Sequence, residues 1–122
     1  MTDRRLKPCP NRPNCVSTQA ADAVHRMPAL PYRDLTEARA RLLAVLATQP
    51  RCRLITVEET YVHAECRSEV FHFVDDVELL FDEAAHLLHF RSAARLGYRD
   101  FRVNRERMEA ISGEFLRRAP AP

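Results

Sequence analysis

The chain has 122 residues, 46% of them hydrophobic, which suits one domain with a single core. No apolar run reaches the roughly 18 residues that span a bilayer, and no apolar segment follows the charged N-terminus, so we expect a soluble, cytoplasmic protein without a membrane span. The net charge of +2 divides into basic ends around an acidic middle, and aromatic residues are only 7% with no Trp, so nucleic-acid binding is not predicted.

Residues 1–33 are predicted to be an irregular N-terminal segment. Five of the eight prolines lie there and leave no room for a long helix. Residues 34–118 are predicted to form an α+β core, and the two parts together are predicted to be one domain, residues 1–122.

The first helix is predicted to begin after Asp34, because Asp34 and Glu37 have the spacing of a capping box. Pro50 is expected to end the helix. Arg39 and Arg41 are expected on its solvated side. The opposite side has apolar residues at helical spacing, namely Leu35, Ala38, Leu42, Val45 and Leu46.

A first hairpin is predicted from residues 51–57 and 61–66, with a register in which paired residue numbers sum to 118. This register places Cys52 opposite Cys66. We expect the two to be neighbours that are unbonded in reducing buffer and behave as small buried hydrophobes. The other pairs are Arg53 with Glu65, Leu54 with Ala64, Ile55 with His63, Thr56 with Val62, and Val57 with Tyr61.

A second hairpin is predicted from residues 74–82 and 87–92, with paired numbers that sum to 169. The alternation of side chains along a strand puts Asp75 on the core face, and Asp76 and Glu78 on the other face. The pairs are Phe81 with Leu88, Leu79 with Phe90, Leu80 with His89, and Glu78 with Arg91.

The remaining sequence predicts a loop followed by a second helix. Gly97 is expected at a backbone position with positive φ, and Asn104 is expected to cap the helix. The apolar positions of this helix are Met108, Ile111 and Phe115. The predicted fold class is therefore α+β, an antiparallel sheet of about four strands with an N-terminal and a C-terminal helix packed on one face.

Three segments stand out together, CPNRPNCVST at 9–18, FVDDVELLFDE at 73–83 and RSAARLGYRDFRVNRERME at 91–109. The sequence resembles the bacterial and plastid family known as domain of unknown function 1499, whose members carry similar motifs in this order. This chain departs from the family pattern at four positions. Ala94 and Arg99 stand where serine is usual, Arg102 stands where glycine is usual, and His72 replaces a small residue.

The resemblance implies site candidates but no reaction. In exported relatives, Cys9 and Cys15 could form a disulfide, whereas in a cytoplasmic protein we expect an unbonded loop. The spacing of these two cysteines is not that of a usual zinc site, so no metal site is predicted. No cofactor is predicted either, because the nucleotide-binding and hydrolase motifs are missing from the sequence.

Asp75 is the most informative acidic residue, because a carboxylate on the core face needs a compensating partner. Arg95, Arg105 or the amides of the loop after Arg91 are the expected partners. The arginines near the start of the second helix also favour binding of a carboxylate or phosphate group. The predicted ligand-binding residues are Asp75, Arg91, Arg95, Tyr98, Asp100, Asn104 and Arg105.

The sequence thus favours a small binding or accessory module for an anionic ligand or a partner protein. One alternative is an enzyme that uses Asp75 or Asp76 as acid or base together with Tyr98 or His63. Another alternative is a purely structural scaffold, in which the arginines only neutralise nearby carboxylates.

Overall fold

A computed structural model describes residues 5–68, 73–97 and 102–121. Two helices and six strands are present in these ranges. The helices are α1 (Leu35–Ala47) and α2 (Val103–Arg117). The strands are β1 (Cys15–Ser17), β2 (Leu30–Pro31), β3 (Cys52–Val57), β4 (Tyr61–Arg67), β5 (Val74–Asp82) and β6 (Leu87–Ala94).

The strands form one antiparallel sheet in the order β1-β6-β5-β4-β3, and β2 also pairs with β6. The α+β class is therefore confirmed. The prediction of about four strands is corrected by β1 and β2, which lie in the segment expected to be irregular. Short strands of two or three residues carry too little alternation to be recognised from sequence, and they form here because the edge of β6 is open to pair with them.

The second hairpin has the predicted register. Phe81 pairs with Leu88, Leu79 with Phe90, and Glu78 with Arg91. Every second residue of β5, from Asp75 to Phe81, is buried on the face that the helices cover. The other face of the sheet is called the open face below, and it carries Asp76 and Glu78.

The first hairpin has the predicted register only in its first half. Cys52 pairs with Cys66 and Leu54 with Ala64, but the pairing then shifts between Leu54 and Thr56. Thr56 pairs with His63 and Val57 with Val62, so the predicted partners of Ile55, Thr56 and Val57 are wrong. A β-bulge at this point adds one residue to β3 and moves the following side chains to the opposite face.

Helix α1 begins as predicted, because the Asp34 carboxylate accepts a hydrogen bond of 2.9 Å from the Glu37 amide. Arg41 does not lie on a solvated side. It is buried, it donates to the Phe115 carbonyl oxygen over 2.7 Å, and its guanidinium lies 3.9 Å from the centre of the Phe115 ring. A guanidinium can be buried when a ring face and a carboxylate, here that of Glu37 at 2.9 Å, offset the lost hydration.

One hydrophobic core joins both helices to the sheet. The predicted apolar positions of α2, Met108, Ile111 and Phe115, are fully buried in it. Most of the predicted stripe of α1 is buried in the same core, which therefore lies between the sheet and the two helices.

The four cysteines form two disulfides, one between Cys9 and Cys15 and the other between Cys52 and Cys66. The prediction that Cys52 and Cys66 are cross-strand neighbours is confirmed by a Cα–Cα distance of 4.0 Å. Both pairs are bonded here, whereas mostly reduced cysteines were expected for a cytoplasmic protein. That Cys52 and Cys66 are unbonded in reducing buffer stays a prediction. Directly opposed cysteines in an antiparallel pair lie within the distance that a disulfide needs, so the register itself permits the bond.

Candidate functional site

The three sequence motifs converge at one end of the sheet. Strand β1, which belongs to the first motif, pairs with β6 through Cys15 opposite Ala93 and Ser17 opposite Arg91. The second motif lies on the other side of β6, where Asp75 pairs with Ala94. The beginning of α2 packs against β1 and β6, so segments distant in sequence form one continuous region.

A polar network is buried under α2 in this region. Arg107 forms an ion pair with Asp75 over 2.8 Å and donates to the Asn104 side-chain oxygen over 3.0 Å. The same oxygen accepts a hydrogen bond of 2.6 Å from the Ser92 hydroxyl, and the Asn104 amide group donates to the Asn14 carbonyl over 3.2 Å. Asn14, Ser92 and Asn104 are almost fully buried, so this network fixes α2 to the sheet.

This network corrects two predictions. Asn104 is not the helix cap, since Arg102 holds that position, and Asn104 lies inside the first turn with its side chain buried. Asp75 does lie on the core face, where it forms an ion pair with Arg107, a partner that the sequence did not predict. Of the two predicted arginine partners, Arg95 pairs with Glu65 and Asp76, and Arg105 donates to backbone carbonyls. Arg107 could have been found from sequence, because it lies three residues after Asn104 and one before Met108 on the buried side of the helix.

A second polar cluster lies on the open face and is centred on Arg95. Arg95 forms ion pairs with Asp76 over 2.7 Å and with Glu65 over 2.8 Å. His63 Nε2 lies 2.9 Å from Asp76, and Arg53 lies 3.2 Å from Glu65. Arg95 and its positive charge are therefore held by two carboxylates.

Electrostatics favours the ionised forms in this cluster. Burial alone would raise the pKa of Asp76, but hydrogen bonds from Arg95 and His63 lower it below its usual value. Hydrogen bonds from Arg95 and Arg53 likewise lower the pKa of Glu65, and the same two carboxylates raise the pKa of Arg95. These shifts favour the ionised forms of Asp76, Glu65 and Arg95 at neutral pH.

Arg91 also lies on the open face, where it pairs with Glu78, two residues along β5 from Asp76. Its guanidinium is 3.9 Å from Glu78 and 3.5 Å from the Pro8 carbonyl oxygen, and Glu78 also accepts a hydrogen bond from the Tyr61 hydroxyl. Arg91 thus connects the sheet to the N-terminal segment. The predicted pairing of Glu78 with Arg91 is confirmed.

At the start of α2, unlike in the two polar clusters, the arginine contacts backbone carbonyls instead of carboxylates. Arg105 donates to the carbonyl oxygens of Val24 over 2.7 Å and of Arg26 over 3.5 Å, and none of the carboxylates in the described ranges is within ion-pair distance of it. No side chain caps the helix, whose cap residue Arg102 has left-handed backbone with a φ of 68°. Two predicted site residues, Tyr98 and Asp100, lie outside the described residues.

A family model for proteins of unknown function, DUF1499, matches residues 5–115 of this chain. The chain belongs to the DUF1499 family. No curated protein is similar enough to the chain to count as a relative.

In this DUF1499 chain the predicted site residues divide between the two faces of the sheet. Asp75 and Asn104 lie in the buried network and Arg105 lies beside it, whereas Arg91 and Arg95 lie on the open face. Arg95 and Arg105 therefore lie on different faces of the sheet. The sequence had predicted that both belong to one ligand-binding site. Strand alternation explains the separation. Arg91 and Arg95 are one and three positions from Ser92, which faces the helices, so both belong to the other face.

A groove elsewhere in the described residues does not involve the predicted site residues. A groove of about 380 Å³ lies between residues 6–9 and 17–22, and none of the predicted site residues lines it. Groups of three metal-ligating side chains are absent from the part of the chain that the structure describes. Neither α1 nor α2, the helices of that part, is long and apolar enough to cross a membrane.

Proposed function

We propose that this DUF1499 chain is a small binding module that accepts an anionic group, a carboxylate or a phosphate, at the start of α2. The supporting observation is the position of Arg105. Its guanidinium is held in place by two backbone carbonyls, and its positive charge has no carboxylate partner in the described ranges. An arginine fixed in this way is preorganised for an anion, because no ion pair has to be broken first.

The backbone at the start of α2 supports the same proposal. The first N–H groups of a helix have no acceptor within the helix and carry the positive end of its dipole. Here no side chain caps them, and the first intrahelical bond runs from the Glu106 amide to the Arg102 carbonyl. Arg105 belongs to the same first turn of α2 as these N–H groups.

Neighbouring carboxylates have their own cationic partners. Arg107 neutralises Asp75 of the buried network, and Glu106, in the first turn of α2, lies 3.9 Å from Arg102. The roles that we propose for the other predicted residues follow from their positions in the fold or in the sequence. Asn104 contributes its backbone amide and fixes the helix, Tyr98 and Asp100 border the site in sequence, and Arg91 and Arg95 organise the opposite face.

The compartment is part of the proposal. A cytoplasmic location stays a prediction, and the two disulfides weigh against it, because disulfides persist mainly in oxidising compartments. We therefore favour maturation of the chain in an oxidising compartment. In that setting the ligand or partner protein would be extracytoplasmic.

A second candidate function, acid–base catalysis, is favoured by one observation on the open face. His63 and Asp76 are 2.9 Å apart, a carboxylate–imidazole contact of the kind that general bases use. Asp75 is a poorer candidate than Asp76, because its ion pair with Arg107 is buried. Asp76 already forms an ion pair with Arg95, so a substrate would have to displace that arginine.

Thermal unfolding with added phosphate, sulfate or citrate tests the binding proposal. At constant ionic strength, stabilisation should saturate with anion concentration, as mass action requires. It should be lost in Arg105→Ala and kept in Arg39→Ala, a matched control because Arg39 is also a half-buried helical arginine that donates to a carbonyl oxygen, that of Glu58. An equal response of all three proteins would indicate general salt exclusion and contradict the proposal.

A further inference from the structure

Strand β3 forms an edge of the sheet and is unusually apolar for an edge. Within residues 5–68, 73–97 and 102–121, only β4 pairs with it. Leu54, Ile55 and Val57 have 44%, 43% and 41% of their surface exposed. An exposed, hydrophobic edge strand offers unpaired backbone groups and apolar surface to another strand.

The β-bulge gives this edge two distinct faces. Without it, Leu54 and Val57, three residues apart, would point to opposite sides of the sheet. With it, Leu54 opposite Ala64 and Val57 opposite Val62 both lie on the helix side. Arg53 and Thr56, opposite Glu65 and His63, both lie on the open side.

The charges along the edge are self-complementary. Arg51 and Arg53 lie at the beginning of the strand, and Glu58 and Glu59 follow its end. The Arg53 side chain stays 69% exposed although it contacts Glu65 of its own chain at 3.2 Å. An antiparallel copy of the same strand would bring the basic end of each chain to the acidic end of the other. Opposite charges across a strand pair stabilise it, and like charges destabilise it.

We propose that two copies of this chain associate through β3, which pairs with itself in antiparallel orientation about a two-fold axis at Thr56. On the helix side, Leu54 then lies opposite Val57 of the second copy. On the open side, Arg53 lies opposite Glu58 of the second copy, and the two Thr56 residues face each other. Ile55, the extra residue of the bulge, is left out of this pairing, so the pairs are symmetric about Thr56. The symmetry repeats each contact, so one register satisfies both faces.

A groove beside β3 can accept a side chain from the second copy. It measures about 270 Å³ and is lined by Leu46 and Ala47 of α1 and by Cys52, Arg53, Leu54 and Ala64 of the hairpin. The side chain of Val57 from the second copy would enter the end of this groove next to Leu54. The Cys52–Cys66 disulfide holds β3 on β4, so the strand keeps its register while its other edge binds the second copy.

Sedimentation equilibrium of the full chain over 1 to 500 µM tests the proposal, together with charge variants. We expect a monomer–dimer equilibrium that Glu58→Arg weakens by about tenfold or more, since two ion pairs become two repulsions. The swap Arg53→Glu/Glu58→Arg should restore it. A wild-type chain that stays monomeric over this range, or a dimer that responds equally to Glu58→Arg and to the control Glu83→Arg, would overturn the proposal.

Cross-linking provides a second test that does not depend on affinity. The described cysteines are all in disulfides, so Thr56→Cys adds a thiol that lies at the two-fold axis. Under mild oxidation this variant should form a covalent dimer, whereas Thr60→Cys, in the hairpin turn, should not. Circular dichroism should show that both variants are folded. No cross-linking of a folded Thr56→Cys variant, or equal cross-linking of both, would contradict pairing at β3.

Discussion

Asp75 of β5 and Arg107 of α2 form an ion pair over 2.8 Å in which both side chains are largely buried, with exposures of 7% and 11%. The pair joins the middle motif of the sequence to the last one. Because Arg107 also donates to Asn104, the same guanidinium sets the position of the first turn of α2. The geometry of the proposed anion site therefore depends on this pair.

Removal of one partner of this pair should be costly. Asp75→Ala is expected to lower the free energy of unfolding by about 3–5 kcal/mol, because it leaves a buried guanidinium without its carboxylate. Asp76→Ala, on the half-exposed open face, should cost about 1 kcal/mol. Urea unfolding of both variants measures the difference, and equal midpoints would contradict the assignment of the two faces.

The disulfides should contribute unequally to stability. The Cys52–Cys66 bond closes a loop with a sequence separation of 14, which is worth about 3 kcal/mol, and the Cys9–Cys15 bond, with a separation of 6, about 2 kcal/mol. Unfolding of Cys52→Ala/Cys66→Ala and Cys9→Ala/Cys15→Ala checks this order. Mass spectrometry of the purified chain without reductant should find no free thiol, and four free thiols would show that the bonds do not form.

The open-face cluster should make stability depend on pH. The folded-state pKa values of Asp76 and Glu65 are lowered, so their contribution is present above the unfolded-state values near 4 and is lost as the pH falls below them. Arg95→Met should therefore destabilise the chain at pH 7 and much less at pH 3. Urea unfolding at both pH values tests this, with Arg39→Met as the control, and a loss that is the same at both would contradict it.

Arg102 adopts a left-handed backbone with a φ of 68°, a conformation that favours glycine. A non-glycine residue in this conformation costs about 1 kcal/mol. Arg102→Gly should raise the free energy of unfolding by up to about 1 kcal/mol, although it removes surface contacts of 3.9 and 4.0 Å with Glu106 and Glu109. Arg105→Gly, inside the helix, should have the opposite effect, and a loss of stability in both would show that Arg102 is not strained.

Sequence reasoning gave the α+β class, the register of the second hairpin and the cap of α1, because each rests on local periodicity or a local hydrogen bond. Gly97 has the positive φ, 87°, that its position indicated. The register of the first hairpin was only half predictable. A bulge such as that near Ile55 depends on how β3 meets β4 and α1, and alternation along one strand does not reveal it.

The site was less predictable than the fold. Parity along β5 correctly put Asp75 inside and Asp76 outside, but the partner of each depends on tertiary packing. Arg107 reaches Asp75 only because α2 crosses this end of the sheet, and Arg105 reaches the Val24 carbonyl only because residues 22–27 pass beside the helix. Contacts between segments so far apart in sequence leave no local signal.

The most direct test of the anion site is a titration of the ¹⁵N-labelled chain with inorganic phosphate at constant ionic strength, followed by amide chemical shifts. The account predicts saturable shifts at Val103, Asn104 and Arg105, which Arg105→Ala abolishes and Arg39→Ala leaves intact. Shifts that are linear in phosphate, that are spread over the whole surface, or that persist unchanged in Arg105→Ala would contradict it.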